Sequence, residues 1–313
     1  MPIALGWRRS ILSTIGLSGF VKLLRNALTL ISRPALAGDY CQFLLSQAQH
    51  GGEFVRAFPA EKVVVGGLSG FSEFHSCANF AKTAEREFLS KFPFGDGPIL
   101  DVGGNLGLFS LLMARRFPNR TIHAFEPNPS TFKAMRANFE RNGCRYAKAY
   151  PHALAAHNGE VSFEANPVDR ATTHIVPENQ YEDPAAKFPL VRVSCVTMDS
   201  FIESQGIKQV CLLKVDVEGY EELVFRGADR VLSNGLAQII YYEVCPELTR
   251  RAGFTPDAPS RRLLERGYRL HFLDEDGKLQ PADLARISSV TLENWVRYGI
   301  GASRHEALLA CSR

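Results

Sequence analysis

Several short runs of this chain end in side chains able to hold or move charge: Asp101 in ILDVGGNLGLFS, Glu126 in HAFEPNP, His152, Asp216 and Glu218 in LKVDVEGY, and Glu243 in YYEV. Each follows an apolar run that reads as a strand. In an open α/β sheet, ligands bind beyond the carboxyl ends of the strands. Acids delivered to one such edge by four separate strands make that edge the candidate site.

The glycine-rich run carries the strongest signal. A strand enters the turn at Gly103 and Gly104, and a helix begins after Gly107. Glycines let backbone approach a ligand closely, and a helix N-terminus presents free N–H groups. The spacing is G-G-x-x-G, not the G-x-G-x-x-G of dinucleotide binding. Asp101 stands two residues before the first glycine, where a pyrophosphate would lie. A carboxylate there repels a dianion and suits a ligand carrying ammonium and sulfonium, as S-adenosylmethionine does. Glu126, at the end of the next strand, is placed to accept hydrogen bonds from two ribose hydroxyls.

Methyl transfer from a sulfonium requires alignment above all. A hydroxyl acceptor also needs a base, for which Asp216, Glu218, His152 and His174 qualify by type. The paired carboxylates could instead hold Mg²⁺ through oxygen. Lys214 stands in the same run and can neutralise that charge, so no metal ligand set is expected. Tyr241 and Tyr242 read as strand packing.

The elements that must position these groups alternate from Pro98 onward, which predicts a mostly parallel sheet covered by helices. Strands are expected at 99–102, 121–125, 147–153, 161–164, 191–196, 210–215 and 238–244. Helices are expected at 107–117, from an Asn128 N-cap and Pro129 to 142, and at 198–204, 220–232 and 260–266. Residues 268–273, and an apolar stretch near 307–310, are expected to complete the sheet. Residues 166–190 carry four prolines and read as a substrate lid.

The balance of 36 basic and 33 acidic residues gives a net charge of +3, which argues against nucleic acid as the partner. Seven cysteines without a C-x-x-C pair suggest neither a disulfide framework nor a zinc site, and fit a reducing, cytoplasmic setting. Residues 1–38 contain basic residues and no Asp or Glu. A helix packed on the catalytic domain is the favoured reading of this segment. Peripheral membrane contact through residues 8–33 and a secretory signal are the alternatives. Charges interrupt the run before it reaches the ~20 apolar residues of a membrane span. The expected division is an N-terminal extension over 1–60 and a catalytic domain over 61–313.

Taken in order, ILDVGGNLGLFSLL, HAFEPNPSTF, LLKVDVEGYEELVFRGADRVL and IIYYEV resemble the FkbM family of S-adenosylmethionine-dependent methyltransferases over residues 95–245. The resemblance implies a class I methyltransferase fold: a Rossmann-like, seven-stranded, mostly parallel sheet with helices on both faces and an antiparallel last strand. It also implies O-methylation of a hydroxyl on a sugar or secondary metabolite. By motif, Asp101, Gly103, Gly104, Asn105 and Gly107 form the cofactor loop, Glu126 with Pro127 and Asn128 holds the ribose side, and Asp216 and Glu218 face the transfer site. Gly104 replaces a frequent alanine, and Met198-Asp199 replaces a leucine-aspartate pair. The rival readings are a cofactor-binding adaptor without activity and an NAD-dependent oxidoreductase on a related fold, for which no Y-x-x-x-K motif is present.

Overall fold

A computed structural model describes residues 42–43, 45–46, 54–68, 84–164, 174–176, 190–274, 276–290 and 298–302. The chain divides into Met1–Gly52 and Glu53–Arg313. In the first unit the described residues Gln42, Phe43, Leu45 and Ser46 are helical. The basic segment 8–33 lies outside the described residues, as does most of the expected lid.

The second unit opens with an antiparallel hairpin, β1 (Phe54–Phe58) and β2 (Val63–Leu68), followed by helix α1 (Ala84–Lys91). The hairpin spans the domain boundary expected at residue 60. The chain then runs through β3 (Ile99–Val102), α2 (Leu108–Arg116), β4 (Ile122–Phe125), α3 (Pro129–Arg141) and β5 (Ala147–Tyr150). Next come β6 (Ala153–Leu154), β7 (Gly159–Glu164), β8 (His174–Val176), β9 (Leu190–Val196), α4 (Met198–Ser204) and β10 (Val210–Val215). It continues with α5 (Glu221–Arg226), α6 (Asp229–Ser233), β11 (Ala237–Glu243), α7 (Pro246–Arg251) and α8 (Ala258–Glu265). The last described elements are β12 (Arg269–Leu273), β13 (Leu279–Pro281), α9 (Leu284–Ser288) and β14 (Tyr298–Ala302).

The main sheet has the order β13-β12-β14-β11-β10-β3-β4-β5. Strands β5, β4, β3, β10 and β11 are parallel. β14 enters antiparallel between β11 and β12, and β13 adds an eighth strand at the edge of the expected seven. This is the class I methyltransferase arrangement. From β3 the chain winds outward through β4 and β5, then returns to β10 on the other side. The carboxyl ends of β3 and β10 therefore flank the topological switch point, where such sheets bind ligands.

Alternation along the strands explains why helices cover both faces. Leu100, Val102, Leu213, Val215, Ile240 and Tyr242 pack in one buried cluster with side chains from α4, α5 and α6. Ile99, Leu212, Ile239 and Tyr241 belong to a second, with Phe88 of α1 and Phe109 and Met113 of α2. Continuous apolar runs are what doubly covered parallel strands require. Tyr241 stacks on Phe88 and Phe109, and the Tyr242 hydroxyl lies 2.9 Å from Ser260 Oγ, so both tyrosines pack the strand as expected.

Three expected elements differ. The single helix over 220–232 is two, α5 and α6. A Cβ at Gly227 would lie 2.0 Å from the Ala155 carbonyl oxygen, so only glycine passes here, and the chain bends. Asp199 restarts the helix: its carboxylate accepts from the N–H groups of Arg230 and Val231, both at 2.9 Å. The strand over 147–153 is split, because Pro151 has no N–H for the ladder; β6 pairs with β9 in a second sheet of order β6-β9-β7-β8. The last antiparallel strand is Tyr298–Ala302, and residues 307–310 lie outside the described residues.

Candidate active site

The glycine turn after β3 has the shape its sequence demands. Gly103 has φ 79°, and a Cβ there would lie 1.8 Å from the Asp216 carbonyl oxygen. Glycine alone lets the turn touch the end of β10. The Phe125 carbonyl accepts from the N–H groups of both Gly103 and Gly104, at 3.1 and 2.8 Å, tying the turn to β4. Gly107 adopts φ 84° at the start of α2.

Asp101 is fully buried beneath this turn. Its Oδ2 accepts from Ser110 Oγ at 2.6 Å, and its Oδ1 lies 3.3 Å from Lys214 Nζ. The same ammonium lies 3.5 Å from Asp216 Oδ2 and donates to the Gly103 carbonyl at 2.9 Å. Burial lowers the lysine pKa, but Asp216 and Asp101 outweigh it, and the net shift is upward. The expectation that Asp101 presents its charge directly to a cation needs amending: Lys214 balances that charge inside the protein. Lys214 was noticed in the sequence as a neutralising group; Ser110 was not singled out, since a serine in a first helical turn carries no distinguishing signal.

Glu126 closes the far side of the turn. Its Oε2 accepts from Asn105 N at 3.0 Å and its Oε1 from Asn128 N at 2.8 Å. One carboxylate thus joins the glycine turn to the start of α3. Each oxygen keeps a second lone pair for a ligand hydroxyl. Burial pushes Glu126 up to about 7, against the downward pull of the two backbone donors. The Asn128 side chain is used locally: it accepts from Ser130 N at 3.0 Å and Thr131 N at 3.4 Å as the N-cap of α3. Pro127 between them is half-buried. Asn105, at φ 48°, carries a side-chain oxygen that is sealed from solvent and has no hydrogen-bond partner among the described residues.

Beyond β10 the structure brings Asp216, Glu218 and Glu243 together, with one carboxylate oxygen of each within 4.8 Å of the others. Glu218 sits at φ 57°, a conformation costly for a non-glycine residue. The buried carboxylate of Glu221 helps to hold this loop, accepting from Val217 N at 3.1 Å and Gly219 N at 3.2 Å. Burial pushes Glu221 up to about 7. Glu243 is raised well above the usual range, first by burial and then by Asp216 and Glu218. Glu221 was missed in the sequence because it reads as a first-turn helix acid. His152 lies outside the carboxylate trio; its Nδ1 is 2.6 Å from Ser194 Oγ on β9. His174 lies on β8, at the backbone register position opposite Glu164 of β7.

A buried acid under a glycine turn, a second acid joining that turn to the next strand, and carboxylates across a parallel-sheet switch point define a nucleoside-cofactor transferase. Residues 101–270, just over half of the chain, match the methyltransferase FkbM domain, and the chain belongs to that family. It is an S-adenosylmethionine-dependent methyltransferase. The oxidoreductase reading is thereby set aside. The chain is 33% identical over 181 residues to Methyltransferase 1 of Beauveria bassiana, covering 50% of this chain and 73% of that one. It is 30% identical to the 31-O-demethyl-FK506 methyltransferase FkbM of Streptomyces tacrolimicus, over 42% of this chain and 59% of the relative. It is 29% identical to the hexuronic acid methyltransferase AglP of Haloferax volcanii, over 44% and 53% respectively. A precorrin-6y C5,15-methyltransferase structure from Geobacter metallireducens aligns over 70% of this chain and 87% of its own, with 11% identity and a TM-score of 0.38. Among the described residues no helix is long and apolar enough to cross a membrane.

Proposed function

We propose that the chain methylates a hydroxyl on a sugar, a glycan or a secondary metabolite, with the cofactor seated across the glycine turn. The observation that carries this seating is the carboxylate of Glu126, hydrogen-bonded at once to Asn105 N and Asn128 N at the end of β4. The residues fit S-adenosylmethionine. Asn105 offers a buried oxygen in need of a donor, and the cofactor supplies an ammonium and two ribose hydroxyls. When bound, the cofactor would supply a methyl group on positively charged sulfur, which an oxygen nucleophile takes in line while the sulfur leaves with the C–S bonding pair as a neutral thioether.

In this reading Gly103, Gly104, Asn105 and Gly107 form the bed, and Asp101 is a positioning residue that holds the bed through Ser110 and Lys214. Glu126 takes the ribose, with Pro127 and Asn128 setting its backbone. Asp216 and Glu218 face the acceptor and take up its proton, Glu218 first because Asp216 shares Lys214. His152 borders the acceptor side and keeps its ring turned to Ser194. The acceptor class rests on the relatives that act on a hexuronic acid and on 31-O-demethyl-FK506.

Calorimetry with S-adenosylmethionine, S-adenosylhomocysteine and NAD, with Asp101→Asn in parallel, tests the seating. Micromolar binding of both adenosyl ligands, weakened in the variant and absent for NAD, is expected. Failure of both adenosyl ligands to bind wild-type protein would overturn it. Methyl incorporation from labelled cofactor into uronic acids, glycans and hydroxylated macrolides then separates the acceptors.

A further inference from the structure

The geometry points to a binding site for an oxygen-seeking divalent cation, of the Mg²⁺, Mn²⁺ or Ca²⁺ kind, formed by Asp216, Glu218 and Glu243 at the carboxyl ends of β10 and β11. The sequence alone weighed a metal only for the first two residues and set against it the neutralising charge of Lys214. Two observations change that balance.

The first is where Lys214 goes. Its ammonium lies between Asp101 and Asp216 and donates to the Gly103 carbonyl. It is therefore shared between Asp101 and Asp216, and of the three carboxylates it pairs with Asp216 alone among the described residues. No basic side chain among the described residues stands within ion-pair distance of Glu243.

The second is the state of Glu243 itself. The residue is 6% exposed, and its Oε2 is sealed from solvent without a hydrogen-bond partner. A buried carboxylate oxygen left unmatched is costly, and proteins retain such a group where something outside the chain completes it. The Glu243 carboxylate is also one of three, with oxygens mutually within 4.8 Å. Three carboxylates on one cation need oxygen–oxygen separations of about 3–5 Å for metal–oxygen bonds of roughly 2.1–2.4 Å. An all-carboxylate set without nitrogen or sulfur selects hard cations over zinc or copper.

The two ends of the set come from neighbouring parallel strands, whose register pairs Lys214 with Tyr241 and Val215 with Tyr242. Asp216 and Glu243 thus follow directly on two paired positions and are fixed by the ladder. Glu218 completes the set from a loop held by Glu221. Three protein oxygens leave open positions on a six-coordinate ion for water or for the acceptor hydroxyl, whose oxygen would be held at the transfer edge. That last role rests on the O-methylation reading above; cation binding itself does not.

The test is a titration of the apo protein with Mn²⁺, followed by the loss of its free-ion electron paramagnetic resonance signal, in wild type, Glu243→Gln and Glu218→Gln. Circular dichroism confirms that each variant is folded. One site per chain is expected, competed by Mg²⁺, with at least a tenfold loss of affinity in both variants. Should Glu243→Gln fail to fold, Glu218→Gln carries the same expectation. No binding at millimolar Mn²⁺, or equal binding in wild type and a folded variant, overturns the inference. Cofactor binding is measured calorimetrically in the same samples. S-adenosylmethionine binding without Mn²⁺ binding defeats this site and leaves the seating intact. Mn²⁺ binding without cofactor binding does the reverse.

Discussion

Lys214 Nζ lies 3.3 Å from Asp101 Oδ1, an ion pair in which the carboxylate is fully buried and the lysine 6% exposed. It links the strand before the glycine turn to the strand that carries Asp216, and so couples the two halves of the site. Removing one partner of a buried pair leaves an uncompensated charge, which typically costs ~3–5 kcal/mol. Lys214→Met is therefore expected to lower the urea midpoint strongly. Asp101→Asn combined with Lys214→Met should recover part of that loss, because the two changes share one interaction. Simple additivity of the two would show that the pair does not hold the turn.

Gly103 and Gly104 are neighbours with opposite tolerance. At Gly103 an alanine meets the Asp216 carbonyl and must adopt positive φ, so Gly103→Ala is expected to cost more than about 3 kcal/mol and to abolish cofactor binding. At Gly104 the φ is ordinary, and the nearest atom to a new Cβ is Met135 Sδ at 2.9 Å, part of a flexible side chain. Gly104→Ala should change stability by less than about 1 kcal/mol. Paired denaturation curves decide it.

Glu126 titrates at about 7, above the ordinary carboxylate range. Its ionised form accepts hydrogen bonds with both oxygens, so wild-type affinity for S-adenosylmethionine should rise from pH 6 to 8. Glu126→Gln should bind at least tenfold more weakly at pH 8 and show a flatter profile. Stability runs the other way. A raised acid pKa favours folding fully below the unfolded value of about 4.3, and the gain is lost as pH rises through about 7. Wild type should therefore lose ground to Glu126→Gln over that interval in thermal melts.

His123 provides the opposite slope. Burial, aided by Lys148, lowers it to about 4, while its Nδ1 lies 2.9 Å from the Tyr150 hydroxyl. Its contribution is present above the unfolded value of about 6.5 and is lost as pH falls through about 4. Wild type should destabilise over that range by up to about 3 kcal/mol more than His123→Phe. Parallel slopes in the two proteins would place the acid sensitivity elsewhere.

What could be read from the sequence was local. Runs such as ILDV, VCLLKV and AQIIYYE announce buried parallel strands by composition, and the Asn128-Pro129 cap marks its helix start within a residue. The acids at the strand ends could be placed on one edge by topology alone. What escaped depended on long-range contact. The break at Gly227 is forced by Ala155, more than seventy residues earlier. Asp199, which the sequence presents as one half of a dipeptide variation, turns out to cap α6 across the fold. Strand β14 reads YGIGA, short and with two glycines that weaken it as a strand on its own, and it takes its place through the ladders it forms with both β11 and β12.

That double pairing bears on how the chain folds as it is made. β11 and β12 are synthesised well before β14, yet neither pairs with the other; each borders the missing strand. At roughly 5–20 residues per second, the approximately 25 residues separating Leu273 from Tyr298 take on the order of seconds to appear. Throughout that interval the nascent sheet presents an unpaired edge along β11, a strand buried at every position in the finished fold. Open edges of this kind recruit other chains. Premature termination between β12 and β14 should therefore yield aggregates and not a smaller soluble enzyme, which makes the glycine-bearing strand β14 a gate on solubility.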